Sequence, residues 1–178
     1  MALANLHRFA FAASAAVALA SSATVRAAEL EQAVKATYLV KFAPFVTWPE
    51  AAAHRPLKVC VQGRDPFGEL LDRAVAGQTF RGKPVTVSRL ARIDAAANCD
   101  IAYIGGSSVQ SEDEALSTLR GLPVLTVADG DQPRPAPAAV LLKIVDGRVR
   151  FAVDLVLARR AGLDINSKLL ALAVSVKK

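Results

Sequence analysis

Leu57-Lys58-Val59-Cys60-Val61-Gln62-Gly63 is a short, mostly apolar, β-branched run that ends in glycine. Such a run reads as a strand with helices over both faces of its sheet, because a half-exposed strand would alternate apolar and polar residues. Arg64-Asp65-Pro66 makes a loop, and a helical pattern follows from Phe67 to Val75. Asp65 suits the N-cap, Pro66 the first helical position and Gly77 the closing residue. Strand, turn and helix in this order form the first half of a βαβ unit. Cys99-Asp100-Ile101-Ala102-Tyr103-Ile104-Gly105-Gly106 is a second run of the same kind, and it begins with the other of the two cysteines. The two runs are expected to be neighbouring strands.

The first 27 residues stand apart. His7 and Arg8 precede a charge-free, alanine-rich stretch from Phe9 to Ala20, and Val25-Arg26-Ala27 fits a cleavage site after Ala27. That is the pattern of a secretory signal peptide. The rival reading is an uncleaved anchor, for which the 17 uncharged residues from Phe9 to Val25 are marginal. Removing 27 of 178 residues leaves 151, enough for one domain over 28–178 and too few for two. The loss of Arg8 and Arg26 takes the net charge from +6 to +4. The basic residues are scattered, without the basic stripe and interleaved aromatics that nucleic acid requires. An exported, periplasmic address is oxidising, and an even cysteine count there favours a Cys60–Cys99 bridge over two buried free thiols. Closing that loop would stabilise the fold by about 4 kcal/mol in the chain-entropy model.

Glu29 to Trp48 reads as a long amphipathic helix, with Leu30, Ala33, Val34, Tyr38, Phe42 and Phe45 on one face and a kink at Pro44. Its aromatics Tyr38, Phe42, Phe45 and Trp48 suit either the core or an exposed partner-binding stripe. Core is the reading for most of them, with Trp48, past the kink, the expected exception. Pro84–Leu90 alternates as a strand, Asp94–Asn98 is a short turn, Val109–Arg120 a helix and Pro123–Val127 another strand. Three prolines mark Gly130–Pro137 as an exposed loop. Asp146-Gly147 between two apolar runs, Ala139–Val145 and Arg148–Asp154, is a hairpin signal. Asp154 caps a helix over Leu155–Ala161 that Gly162 closes, and Asn166 caps a last helix over Ser167–Val176 that buries Leu169, Leu170, Ala173 and Val174. The expected fold is α/β, a mostly parallel mixed sheet flanked by helices, with a C-terminal antiparallel hairpin.

Catalytic chemistry finds little to work with. After the leader the single histidine is His54, in a linker, and no G-x-S-x-G elbow accompanies it. Gly63-x-x-x-x-Gly68 is followed by Glu69 and Leu70, so it is no phosphate loop. Metal ligation lacks histidines, and the cysteines serve better as a bridge. The reading is therefore no enzyme, no metal and no cofactor. One constellation survives, because ligands of parallel sheets sit beyond the carboxyl ends of the strands. Gly63, Arg64 and Asp65 end one strand there, and Gly105, Gly106, Ser107 and Ser108 end the other. Together they form a candidate site for a small anionic ligand; the alternative is a pair of tight turns with capping serines.

Taken in order, the segments resemble the YfiR family. Tyr38-Leu39-Val40-Lys41-Phe42-Ala43-Pro44-Phe45-Val46-Thr47-Trp48-Pro49 is similar to its aromatic helix ending in W-P. Cys60-Val61-Gln62-Gly63-Arg64-Asp65-Pro66-Phe67-Gly68 looks like its C-V-x-G-x-D-P-F-G segment. Cys99–Gly105, Gly121–Val127, Gly147–Phe151, Ala158–Leu163 and Ser167–Ala173 resemble the family's later segments. The resemblance implies a periplasmic α/β protein with a Cys60–Cys99 disulfide. It also implies a regulatory role, best known as restraint of an inner-membrane diguanylate cyclase through its periplasmic sensory domain, with consequences for cyclic di-GMP and biofilm. Other members accompany sensor kinases or transport systems. A homodimer is compatible with all of this, and a periplasmic binder of a small anion or nucleotide is the alternative function. Gly130-Asp131-Gln132-Pro133-Arg134-Pro135-Ala136-Pro137 departs from the family's usual glycine-rich run, and a second cysteine pair found in some members is missing.

Overall fold

The computed structural model describes residues 26–50 and 55–178. Along them run helix α1 (26–41), β1 (Val46–Thr47), β2 (Lys58–Gln62), α2 (Glu69–Val75), the small hairpin β3 (Thr79–Phe80) and β4 (Lys83–Pro84), then β5 (Thr86–Leu90), β6 (Ile101–Ile104) and α3 (Glu112–Thr118). They are followed by β7 (Leu125–Asp129), β8 (Val140–Val145), β9 (Arg148–Asp154), α4 (Leu155–Arg160), β10 (Asp164–Ile165), α5 (Ser167–Leu170) and β11 (Ser175–Lys177). Seven strands make one sheet in the order β11-β9-β8-β7-β6-β2-β5. Every neighbouring pair is parallel except β8–β9, which Asp146 and Gly147 join, both with positive φ. The expected α/β class and hairpin are present. Most of the leader, His54 and most of its linker lie outside the described residues. Among the described residues no helix is long and apolar enough to cross a membrane.

β2 has a strand on each side and an apolar layer on each face. Val59 and Val61 belong to the main core with α1 and α2, while Cys60 packs on the opposite face with Ala102, Ala115 and Leu119. Cys60 on β2 is joined to Cys99, two residues before β6, with a Cα–Cα distance of 5.9 Å. Asp100, next to that bridge and 3% exposed, collects the N-terminal edge of the sheet. Its carboxylate accepts from the Lys58 N–H (2.7 Å) and from Arg55 (2.8 Å), and its carbonyl accepts from the Leu125 N–H (2.8 Å) and the Trp48 Nε1–H (3.3 Å). Burial pushes this carboxyl above its usual range, against the pull of the Lys58 N–H and Arg55.

Several expectations are corrected. The first helix ends at residue 41, not at Trp48. Pro44 cannot donate to the helical ladder, so Ala43–Phe45 tighten into a 3₁₀ turn and Val46–Thr47 pair with β10. The buried face of α1 is Lys35, Ala36, Leu39 and Val40, with Leu30 on the exposed side. The Val109–Arg120 helix is shorter, because Ser111 and Glu114 close a capping box that fixes its start. The last helix stops at Leu170 and the chain continues as β11 beside β9, leaving Val174 45% exposed. Pairing there satisfies the backbone groups of a long strand that would otherwise be an open edge.

Trp48 is a further correction. It is 5% exposed, hydrogen-bonded to Asp100 and packed edge-on against Phe80 at 6.0 Å, so it is not an exposed contact. The extended Trp48-Pro49 segment turns the indole inward because its N–H finds a buried carbonyl. Phe42 is fully buried against Phe151 at 5.2 Å, while Tyr38 and Phe45 are half-buried at the edge of the same core. Trp48→Ala should therefore cost about 3–5 kcal/mol of stability, read as a lowered denaturant midpoint. A wild-type midpoint would show that the ring is not part of the core.

Candidate functional site

The carboxyl ends of β2 and β6 lie side by side, with Gln62 opposite Ile104. The chain leaves β2 toward β5 on one side and returns to β6 on the other, so this is the switch point where a parallel sheet commonly opens a crevice. Here the crevice is filled by the protein's own loops. The Gly63 N–H donates to the Leu90 carbonyl, Arg64 N–H to Gly106, Gly105 N–H to Gln62 and Ser107 N–H to Gln110. The Gly106 N–H donates to the Gln62 side chain (3.1 Å). A Cβ on Gly63 would fall 2.0 Å from the Gly106 carbonyl oxygen, and one on Gly105 would lie 2.3 Å from that of Arg64. The two glycines therefore let one loop approach the other.

Two glutamines lock this arrangement. Gln62 is fully buried, and its amide donates to the carbonyls of Ala91 and Gln110. Gln110, 3% exposed, bonds both the N–H and the carbonyl of Ile93. The Ser107 hydroxyl donates to the Ala91 carbonyl (2.8 Å) and accepts from the Gln110 N–H (3.1 Å). Ser107 thus serves as a capping serine, and Ser108 is exposed beside it. Of the seven residues expected to hold an anion, all are brought to one end of the sheet. Yet the N–H groups of five of them are already donated within the protein.

Asp65 also turns inward. Its Oδ1 accepts from the Phe67 and Gly68 N–H groups, and its Oδ2 from Arg89 Nε at 2.6 Å. It closes the turn before α2 and is not the expected helix N-cap: the helix begins after Gly68, at φ 47°, and not at Pro66 or Phe67. Arg89 also forms a two-pronged pair with Asp72, at 3.0 and 2.8 Å, so β5 and α2 are clamped together.

What remains open at the crest is a cleft of about 100 Å³ lined by Arg64, Pro66, Tyr103, Gly105, Glu112, Asp129 and Gln132. Tyr103 is 6% exposed and packs edge-on to Phe67 at 4.7 Å. Its hydroxyl has no hydrogen-bond partner among the described residues. Burial, then the Asp129 and Glu112 carboxylates, push this phenol well above its usual range, so it stays protonated and able to donate. Asp129 is held from below by Lys35 (3.2 Å), which also pairs with Glu31 at 2.8 Å. Burial works against the Lys35 charge, but Glu31 and Asp129 outweigh it and the ammonium titrates above its ordinary value. The sequence reading missed Lys35, although Glu31 four residues earlier on the same helix was a usable signal. It also missed Gln62 and Gln110, whose spacing carries no pattern.

Burial pushes the Asp65 carboxyl up, but hydrogen bonds from Arg89, Phe67 and Gly68 more than offset this and hold it below the usual range. Its contribution to stability is thus present above the unfolded value of about 3.9 and is lost as pH falls through the lower folded value. Asp65→Asn should flatten the acid limb of the stability curve below about pH 4. An acid limb that keeps its wild-type slope would refute that assignment.

No curated protein matches the chain. The family model described as YfiR/HmsC-like matches residues 32–174, a span that takes in the seven-stranded sheet up to β9, both cysteines, the crest loops and the buried Trp48. With the match running through most of α1 and nearly to β11, the chain belongs to the YfiR/HmsC-like family.

Proposed function

We propose that this protein is a non-catalytic periplasmic regulator. It binds the periplasmic sensory part of an inner-membrane diguanylate cyclase and holds the enzyme off, lowering cyclic di-GMP and biofilm output. Family membership over residues 32–174 is the observation that carries this reading. The loops at the switch point are held to each other by their own hydrogen bonds, which leaves the outer surface of the domain for a partner. A leader ending at Ala27 would deliver the domain to the compartment where the Cys60–Cys99 bridge persists. Burial withdraws Phe42 and Trp48 as partner contacts. Tyr38 and Phe45, half-buried at the edge of the core, are the aromatics a partner could still touch.

The test is to immobilise residues 28–178, retain proteins from host membranes and identify them by mass spectrometry, then assay cyclase activity with and without the added protein. Recovery of a membrane diguanylate cyclase whose activity falls on addition is the expected result. A sensor kinase in its place would keep the regulatory class and change the output. Retention of no membrane signalling protein, or a cyclase indifferent to the addition, would refute the reading.

The unpartnered Tyr103 hydroxyl in the crest cleft supports a second reading, in which a small ligand sits beside Arg64. A panel of nucleotides and small anions should then raise the melting temperature by mass action, and Tyr103→Phe should reduce the shift. A flat panel would dispose of it.

A further inference from the structure

The hairpin β8–β9 is fully covered on one face and partly covered on the other. Val140, Leu142, Phe151 and Val153 face the main core with α1. The alternate residues point the other way, in directly opposed pairs: Leu141 with Ala152, Lys143 with Arg150 and Val145 with Arg148. On that second face Leu141 packs, with Leu116 of α3, against Ala128, Ala136 and Ala138. Beside this contact a cavity of about 360 Å³ opens over Leu141 and Ala152, bounded by the Pro135–Ala138 loop, Leu157 and β11. It meets a second cavity of about 590 Å³, between α3 and α4, at Pro137 and Leu157, which line both. The two adjoin there as one groove whose apolar lining comes from Leu116, Leu141, Ala152 and Leu157.

The rim of this groove is basic. Arg120 and Arg160 border one end, Lys143 and Lys177 the other, with Arg150 directly across from Lys143. Its acids are Asp113 and Asp154. Asp154 is already engaged by Lys177 at 2.9 Å and by the Leu157 N–H at 3.0 Å. Arg120, Lys143, Arg150 and Arg160 have no ion-pair partner among the described residues. Like charges directly opposed on a strand pair are destabilising, and neither Lys143 nor Arg150 has an ion-pair partner among the described residues. Apolar floor residues with a rim of four cations that lack an ion-pair partner are complementary to a segment that is acidic and apolar at once.

We propose that this groove is the docking site for an acidic polypeptide segment of a partner protein, with leucine-like anchors on the floor and carboxylates at Lys143, Arg150, Arg120 and Arg160. The identity of that partner as a membrane signalling protein rests on the reading given above; the groove itself does not. A second copy of this chain seated groove to groove is a poor occupant, because it would bring the same positive rim against itself. A lipid surface is also a poor occupant, because the apolar floor is recessed between two helices and a loop, where a flat headgroup layer does not reach.

The probe is a synthetic 15-residue peptide with leucine at i, i+3 and i+4 spacing and glutamate between, labelled for fluorescence polarisation. Two controls replace its glutamates by lysine or its leucines by serine, and phosphatidylglycerol vesicles serve as a third. The acidic leucine peptide should bind, weaken with added salt, and lose about tenfold or more in affinity to the double variant Lys143→Glu, Arg150→Glu. The controls should not bind. Lys143→Glu alone places an acid opposite Arg150, so its melting temperature should not fall while its peptide affinity does. The milder pair Lys143→Gln, Arg150→Gln guards against a folding defect. The proposal is overturned by unchanged affinity in the variants, by equal binding of the lysine peptide, by no peptide binding, or by vesicle binding alone. Retention of a cyclase by wild type and double variant alike would remove the groove and keep the regulator. Groove-dependent peptide binding without any retained signalling protein would do the reverse.

Discussion

A strand with a neighbour on each side and an apolar layer on each face must have all its polar groups satisfied inside the protein, and β2 is that strand. Its two ends are met by two buried polar side chains. Asp100 gathers Lys58, Arg55, Leu125 and Trp48 at the N-terminal edge of the sheet, beside the Cys60–Cys99 bridge. Gln62 gathers Ala91, Gly106 and Gln110 at the C-terminal edge. Leaving a buried polar group unpaired costs roughly 1–3 kcal/mol for a neutral one and more for a charge. These two networks therefore fix which strands flank β2 and in which register.

The same constraint shapes the site. At the crest the loops after β2 and β6 are drawn together by their own backbone groups, so the switch-point crevice common to parallel sheets is closed. The glycines that a sequence reader assigns to ligand approach serve loop approach instead. What is left is a small cleft with Tyr103, Arg64, Glu112 and Asp129, and a larger groove on the opposite face of the hairpin. A regulator that acts by binding needs surface more than a cavity, and the uncompensated cations lie on that surface.

The first helix illustrates how a correct pattern can be placed on the wrong face. Apolar residues at i, i+3 and i+4 identified the helix, but α1 turns Lys35, Ala36, Leu39 and Val40 inward and leaves Leu30 in solvent. A lysine reads as surface in any sequence scan. Lys35 is buried because Glu31 and Asp129 supply two carboxylates, one local and one from the end of β7. Trp48 was misplaced for a related reason, since the carbonyl that receives its N–H lies 52 positions away.

Local sequence specified the strand–turn–helix order, the Asp146-Gly147 hairpin, the helix caps at Asp154 and Asn166, and the pairing of the two cysteines. Each of these rests on chemistry among residues close in the chain, or on a count of two that allows one pairing. Tertiary structure alone decided the closure of the crest, the burial of Trp48 and Lys35, the ending of the last helix at Leu170 in favour of β11, and the open basic groove. Each of those depends on which distant backbone group or carboxylate is within hydrogen-bonding reach, and local sequence carries no record of that distance.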